Sequence, residues 1–252
     1  MLKLKGLAQY SQSGNRSIQE DFIQCDPEKG VFIVADGFGG GSSGAGAAQK
    51  VCESIRKFLF KEGQDEDATL PFILRQYFSL VGNVLFNAVL YANQVLYQLN
   101  QGKNIHEKGG ASAIAAYLDD DLLAIAHVGS CLGWMVRGDQ IAPLVIPRTY
   151  GQLLHPHHSE SVGDEDHQIP LMAYGMYQDL EPEILEYQLR SGDWVVFASD
   201  GFLGQSDGRD FLSEILRIKK ADLVPEESVK RFNSIVKEFK TEDNASISLL
   251  IF

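Results

Sequence analysis

The spacing of apolar positions changes several times along the chain, and each change marks an element. Residues 22–24 and 31–36 form short β-like runs around a turn at Asp26-Pro27-Glu28-Lys29-Gly30. A glycine-rich stretch, 37–46, follows. Ala47, Val51, Ile55, Phe58 and Leu59 then recur at helical spacing, and Gly63 stops that helix. Asp65-Glu66-Asp67 reads as an acidic loop, with Asp67 capping the next helix and Pro71 in its first turn. That helix is predicted over about residues 70–99, with Gly82 as a kink or a small contact. Beyond Gly109-Gly110 the period becomes that of strands, at 112–118, 122–128 and 133–137. Short turns at 119–121 and 129–132 make them antiparallel neighbours. Residues 147–172 have weak periodicity and read as a long loop. A buried strand at 194–199, amphipathic helices at 210–218 and 226–239, and a terminal strand at 245–252 complete the pattern. The order predicts an α+β fold with helices packed outside antiparallel sheets.

Composition narrows the class. The 252 residues suit one large domain, taken as 1–252, and 44% hydrophobic with 22% charged residues reads as globular. A net charge of −12 argues against a nucleic-acid partner, which needs a basic face. Three cysteines without C-x-x-C spacing favour free thiols in a reducing compartment. The first residues lack the apolar run of a signal peptide, and no segment reaches the ~20 apolar residues of a membrane span. The expectation is a cytoplasmic monomer away from membranes.

Four acidic spots stand at the ends of β-like runs. Arg16-Ser17-Ile18-Gln19-Glu20-Asp21 enters the first; Asp36-Gly37-Phe38-Gly39-Gly40 leaves the second. Ser199-Asp200-Gly201 closes another apolar strand, and Glu242-Asp243-Asn244 precedes the last. A carboxylate closing a buried strand is costly unless something pairs with it. A hard cation such as Mg²⁺ or Mn²⁺, which prefers oxygen ligands, would resolve that cost. Two such ions ~3.5–4 Å apart can polarise a phosphoryl group and activate water.

The order R-x-x-x-E-D, D-G-x-G-G, G-G-A-S, G-S-C, S-D-G and D-N, spread over residues 14–244, resembles that of the metal-dependent type 2C (PPM) serine/threonine protein phosphatases. The resemblance implies a four-layer αββα sandwich of two antiparallel sheets flanked by helices. It implies hydrolysis of phosphoserine and phosphothreonine on proteins, in signalling, by a hydroxide bridging two Mg²⁺ or Mn²⁺ ions. By position, Asp36 would bridge both ions and the Gly37 carbonyl would complete one of them. Asp200 and Asp243 would hold the other, and Glu20 would bind a metal or its water. Asp21 would support them from behind, Asn244 would orient Asp243 or its loop, and Arg16 would clamp the substrate phosphate. Ala173-Tyr174-Gly175 is similar to the family's small-residue segment ahead of its last strands.

The chain also departs from the family pattern. Gly129-Ser130-Cys131 stands where relatives commonly have G-D-S, so the third metal position at Ser130 is expected to be lost. Phe38 stands where some relatives have a histidine proton donor, leaving protonation of the leaving group to coordinated water or another group. Ala111-Ser112 replaces a threonine pair, and 147–172 does not follow the family's flap.

Simpler readings compete. Each Asp-Gly is compatible with an ordinary turn, and Arg16 with a solvated surface residue. His155, His157, His158 and His167 lie in a polar loop without cysteine partners, which favours a surface loop over a zinc site. His127 is expected to be a hydrogen-bonded core residue, Cys131 a small buried hydrophobe, and 119–121 a hairpin turn. Two other functions remain: a pseudophosphatase that binds a partner through the same scaffold, and a phosphoesterase acting on a small molecule.

Overall fold

The computed structural model describes residues 2–39, 42–62, 73–154, 169–202 and 208–252. Ten strands run in chain order: β1 (Gly6–Gln12), β2 (Asp21–Asp26), β3 (Val31–Gly39), β4 (Gly109–Asp119), β5 (Leu122–Val128), β6 (Leu132–Arg137), β7 (Gln140–Pro143), β8 (Glu183–Gln188), β9 (Trp194–Ala198) and β10 (Ala245–Ile251), counted among the described residues. The helices are α1 (Ser43–Glu62), α2 (Leu80–Asn100), the short α3 (Tyr150–Leu154), α4 (Gly208–Lys220) and α5 (Pro225–Glu238). One antiparallel sheet has the order β1-β10-β9-β6-β7 and the other β2-β3-β4-β5-β8.

Side-chain alternation along the central strands builds the layers. In β3, Val31, Ile33 and Ala35 pack under α1 and α2, while Phe32 and Val34 enter the core between the sheets. In β9, Trp194, Val196 and Ala198 pack under α4 and α5, while Val195 and Phe197 face the other sheet. Both faces of these strands are covered, so they read as continuous apolar runs rather than alternating ones. Three apolar layers between four layers of structure give the expected αββα sandwich.

Several boundaries differ from the sequence reading. The second long helix begins at Leu80, not near residue 70, because Ser79 caps it by accepting a hydrogen bond from Gly82 N at 3.1 Å. Residues 73–79 instead form a non-helical strap. Asn83 and Asn87 accept from Arg75 N (2.7 Å) and Ile73 N (3.1 Å), and return donors to Arg75 O and Ile73 O. Asp65, Glu66, Asp67, Pro71 and Gly63 lie outside the described residues. α1 starts at Ser43, inside the stretch read as glycine-rich connection. Strands β1, β7 and β8 were not anticipated, and within 147–172 there is a short helix, α3, and a bridge between Thr149 and Pro170. His155, His157, His158 and His167 lie outside the described residues. His127 is fully buried, with Nε2 2.8 Å from Cys131 O, and Cys131 is itself fully buried. The hairpin turn between β4 and β5 carries Asp120 at φ 53°.

Candidate metal centre

Strand register assembles the acidic residues at one end of the sandwich. Asp21 pairs with Asp36 across β2 and β3, and Asp36 pairs with Ser112 across β3 and β4. Asp36 continues the Phe32–Val34 face of β3, which looks toward the other sheet. From that sheet, Asp200 follows β9 directly, and Asp243-Asn244 leads into β10. One cleft of about 650 Å³ is lined by Arg16, Glu20, Asp36, Gly37, Ser130, Asp200, Asp243 and Asn244. Asp21 lies beneath it, 6% exposed. Gly40 of the glycine-rich motif lies outside the described residues.

Asp36-Gly37 lies within β3 rather than in a turn, whereas Asp200-Gly201 forms a short 3-10 turn closed by Phe202 N donating to Ser199 O at 3.4 Å. Neither Gly37 nor Gly201 has a positive φ. A Cβ on Gly37 would run into the carbonyl of Gly44 in α1, and one on Gly201 into the carbonyl of Asn244. Glycine is needed at both positions because another backbone crosses close against it. These crossings bring Glu20, Asp36, Asp200 and Asp243 to one place.

Asn244 organises the loop that carries Arg16. Its Oδ1 accepts from Glu20 N at 2.9 Å, and its Nδ2 donates to Ser13 O at 3.1 Å and Ile18 O at 3.0 Å. Arg16 Nη2 lies 2.8 Å from Asp243 Oδ2, an ion pair exposed on both sides. Asp21 accepts from Ser199 Oγ at 2.7 Å; that hydroxyl also accepts from Ser246 N at 2.9 Å, and Ser246 Oγ donates to Ser11 Oγ at 2.8 Å. These serines belong to the opposite sheet, so Asp21 ties the two sheets together under the cleft. Ser130 Oγ donates to Ser112 Oγ at 3.2 Å. Sequence reasoning gave no role to Ser199, Ser246 or Ser112, although Ser199 belongs to the S-D-G motif.

The electrostatics are those of crowded carboxyls. Burial pushes Asp36 well above the carboxylate range, and the charges of Asp200 and Asp21 push in the same direction. Asp21 is pushed up to about 7, chiefly by burial, against the hydrogen bond from Ser199. Burial also raises Asp200, opposed by the Ser130 hydroxyl, and raises Glu20, opposed by Arg16. Glu20 Oε1 and Asp21 Oδ1 are buried without a hydrogen-bond partner. Such an arrangement is expensive without a cation. Among the described residues, no three His, Cys, Asp or Glu side chains converge as a ready-made shell for one ion. Hard dications do not need three: they keep several waters and accept backbone carbonyls such as that of Gly37. The oxygen-only donors and the two orphaned oxygens fit Mg²⁺ or Mn²⁺.

No family model matches the chain. Among curated proteins it is 26% identical over 132 residues to "Probable protein phosphatase 2C 2" of Arabidopsis thaliana, which covers 50% of this chain and 30% of that protein's length. Solved structures resemble it along its whole length. The PPM Ser-Thr phosphatase MsPP of Mycobacterium smegmatis superposes with a TM-score of 0.78 at 17% identity, covering 100% of both chains. The serine/threonine phosphatase PstP/Ppp of Mycobacterium tuberculosis gives 0.77 at 20% identity, covering 98% of this chain and 97% of that one. A catalytic domain of PstP, in complex with 2 manganese ions, gives 0.74 at 20% identity over 98% of each chain. The fold is that of the PPM serine/threonine phosphatases.

Among the described residues no helix is long and apolar enough to cross a membrane.

Proposed function

We infer that the chain is a metal-dependent protein phosphatase that hydrolyses phosphoserine and phosphothreonine, working as a single domain over residues 1–252. The observation that carries this reading is the cleft itself: buried carboxyls crowd together with two orphaned oxygens, and an arginine stands at their rim. Asp36, Asp200, Asp243, Glu20 and the Gly37 carbonyl would hold two Mg²⁺ or Mn²⁺ ions. Bound there, the pair would supply an activated water between them and polarise the phosphoryl group.

The chain's own residues do the rest. Arg16 binds phosphate oxygens through its planar fork. It pairs with Asp243 at the rim, and an exposed pair of this kind is worth about 0–1 kcal/mol, which an incoming phosphate readily outweighs. Asn244 fixes the loop that presents Arg16, and Asp21 with its serines holds Asp36 from behind. Ser130 is neutral and its hydroxyl is already bonded to Ser112, which supports a site for two ions rather than three. Phe38 has no proton to give, so the leaving oxygen takes its proton from water or from another group of the cleft. The buried or half-buried free thiols Cys25, Cys52 and Cys131 support a cytoplasmic setting, and we propose a monomer acting on phosphoproteins in signalling.

The test is turnover of p-nitrophenyl phosphate and of a phosphothreonine peptide with Mn²⁺, Mg²⁺ or excess chelator. Activity is expected only with added metal. Full activity in chelator, with no metal carried over, rejects the two-ion site. No turnover under any condition points to a binding module instead, and turnover of small esters alone points to a small-molecule phosphoesterase.

A further inference from the structure

One part of the cleft is apolar. Beside the carboxylates and Arg16 it is lined by Phe38, Tyr150, Ile169, Pro170, Met176 and Tyr177. Phe38 and Met176 lie together over Gly110. Tyr150, Ile169 and Tyr177 remain 48%, 48% and 54% exposed. Scattered apolar residues on a surface need no explanation, but these border a single polar site.

Their backbone is fixed in place. Tyr150 N donates to Ile169 O at 3.0 Å, and Leu171 N to Arg148 O at 2.8 Å. On the other side two buried amides of α2 hold the segment that carries Met176 and Tyr177. Asn93 accepts from Gly175 N at 2.9 Å and donates to Tyr177 O at 3.0 Å and Gln178 O at 3.2 Å. Asn100 donates to Gly175 O at 3.0 Å and to Gly109 O at 2.7 Å. Asn93 and Asn100 are 2% and 1% exposed. Buried amides on a helix are costly unless satisfied; Asn93 is satisfied by this segment and Asn100 by Gly175 together with Gly109 at the start of β4. The wall is therefore held in shape before anything binds, which lowers the ordering cost of binding.

Resting on the phosphatase reading above, we propose that this wall is a subsite for a bulky apolar side chain adjacent to the phosphorylated serine or threonine. The phosphate end of the cleft fixes one point of the substrate, and the wall begins beside it. A flanking leucine or phenylalanine buries apolar surface against Tyr150, Ile169, Met176 and Tyr177. A flanking aspartate gains no such contact and meets a cleft whose charged side chains, apart from Arg16, are all carboxylates. Apolar contacts of this size discriminate by about tenfold or more.

Two labelled phosphothreonine peptides decide it, one with leucine and one with aspartate on both sides of the phosphothreonine, otherwise identical. The intact chain is assayed for kcat/KM with Mn²⁺, and for binding by fluorescence anisotropy in chelator, where hydrolysis stops. The leucine peptide is expected to win by about tenfold in both measurements. Ile169→Ser combined with Tyr177→Ser, both at exposed side chains, should bring the ratio to within about twofold of one. A wild-type ratio near one, or a ratio the double substitution leaves intact, overturns the subsite. The wild-type ratio decides even if the double variant folds poorly. Failure of the phosphatase reading looks different: neither peptide nor p-nitrophenyl phosphate is turned over, while the anisotropy ratio still reports on the wall.

Discussion

Without metal, the acidic cluster should make the protein less stable as pH rises from about 4.5 to 7.5. Asp21 has an ordinary carboxyl value of 3.8 that the fold pushes up to about 7. Its folded value lies above its unfolded one, so its contribution is fully present below 3.8 and is lost as pH climbs through 7. Ionising it in the fold costs on the order of 4 kcal/mol in all, about 3 kcal/mol of it between pH 4.5 and 7.5. Asp36 and Asp200 are raised for the same reasons and share the cluster, so their effects overlap with this one rather than add. For a chain of this size about 1 kcal/mol moves Tm by about 2–4 °C, so the metal-free Tm should fall by roughly 10 °C.

Scanning fluorimetry in chelator across that pH range reads the effect. The net charge of −12 also weakens the fold as pH rises, so the cluster must be isolated. Asp21→Asn does this: it removes the carboxyl that titrates across this range, keeps the shape, and keeps an acceptor for Ser199 Oγ. The variant should be more stable than the wild type at pH 7.5 without metal and should have a flatter pH profile. Mn²⁺ at 100 times its dissociation constant should restore about 2.7 kcal/mol to the wild type. A wild-type Tm that stays level across the window, or a variant that keeps the full slope, would refute the account of the crowded carboxyls.

Three other substitutions probe separate parts of the cleft. Arg16→Ala should raise KM for phosphate monoesters about tenfold or more while leaving the Mn²⁺ titration midpoint within a few fold; collapse of metal affinity with normal kinetics at saturating metal would show that Arg16 serves the ions. Asn244→Ala should cost about 2–3 kcal/mol of stability in denaturant unfolding, because Glu20 N, Ser13 O and Ile18 O lose their partner. It should also lower kcat/KM at saturating Mn²⁺ by loosening the loop that carries Arg16. Ser130→Asp should add a low-affinity phase to the Mn²⁺ titration, since a carboxylate binds a hard dication better than a hydroxyl; an unchanged titration would place Ser130 away from any ion.

How far the sequence reveals this molecule depends on which residues carry two constraints at once. Asp36 and Asp200 stood out because each ends an apolar run covered on both faces, and because the glycine after each is forced by a crossing backbone. Strand run, carboxylate and glycine are all visible in one dimension. The serines under Asp21 were not, because a serine in a strand has no pattern of its own and its partner sits 178 residues away. Strands β1, β7 and β8 escaped for a related reason. β1 and β7 are edge strands of one sheet and β8 of the other, with mixed polar and apolar residues. Partial burial leaves little alternation to read.

The start of α2 failed differently. The helix expected from about residue 70 would take in Ile73, Leu74 and Tyr77, yet these three are 50%, 66% and 73% exposed. Helix and strap compete there for the same backbone donors. Asn83 and Asn87, already in the helix, offer amides that mimic a continuing backbone, while Ser79, bonded to Glu186 on β8, takes over the cap. Polar side chains therefore decided that boundary, whereas hydrophobic spacing is blind to them. The same kind of residue, Asn93 and Asn100 further along the helix, fixes the apolar wall of the cleft. One helix thus uses buried asparagines twice, first to set its own beginning and then to shape the rim where a substrate would lie.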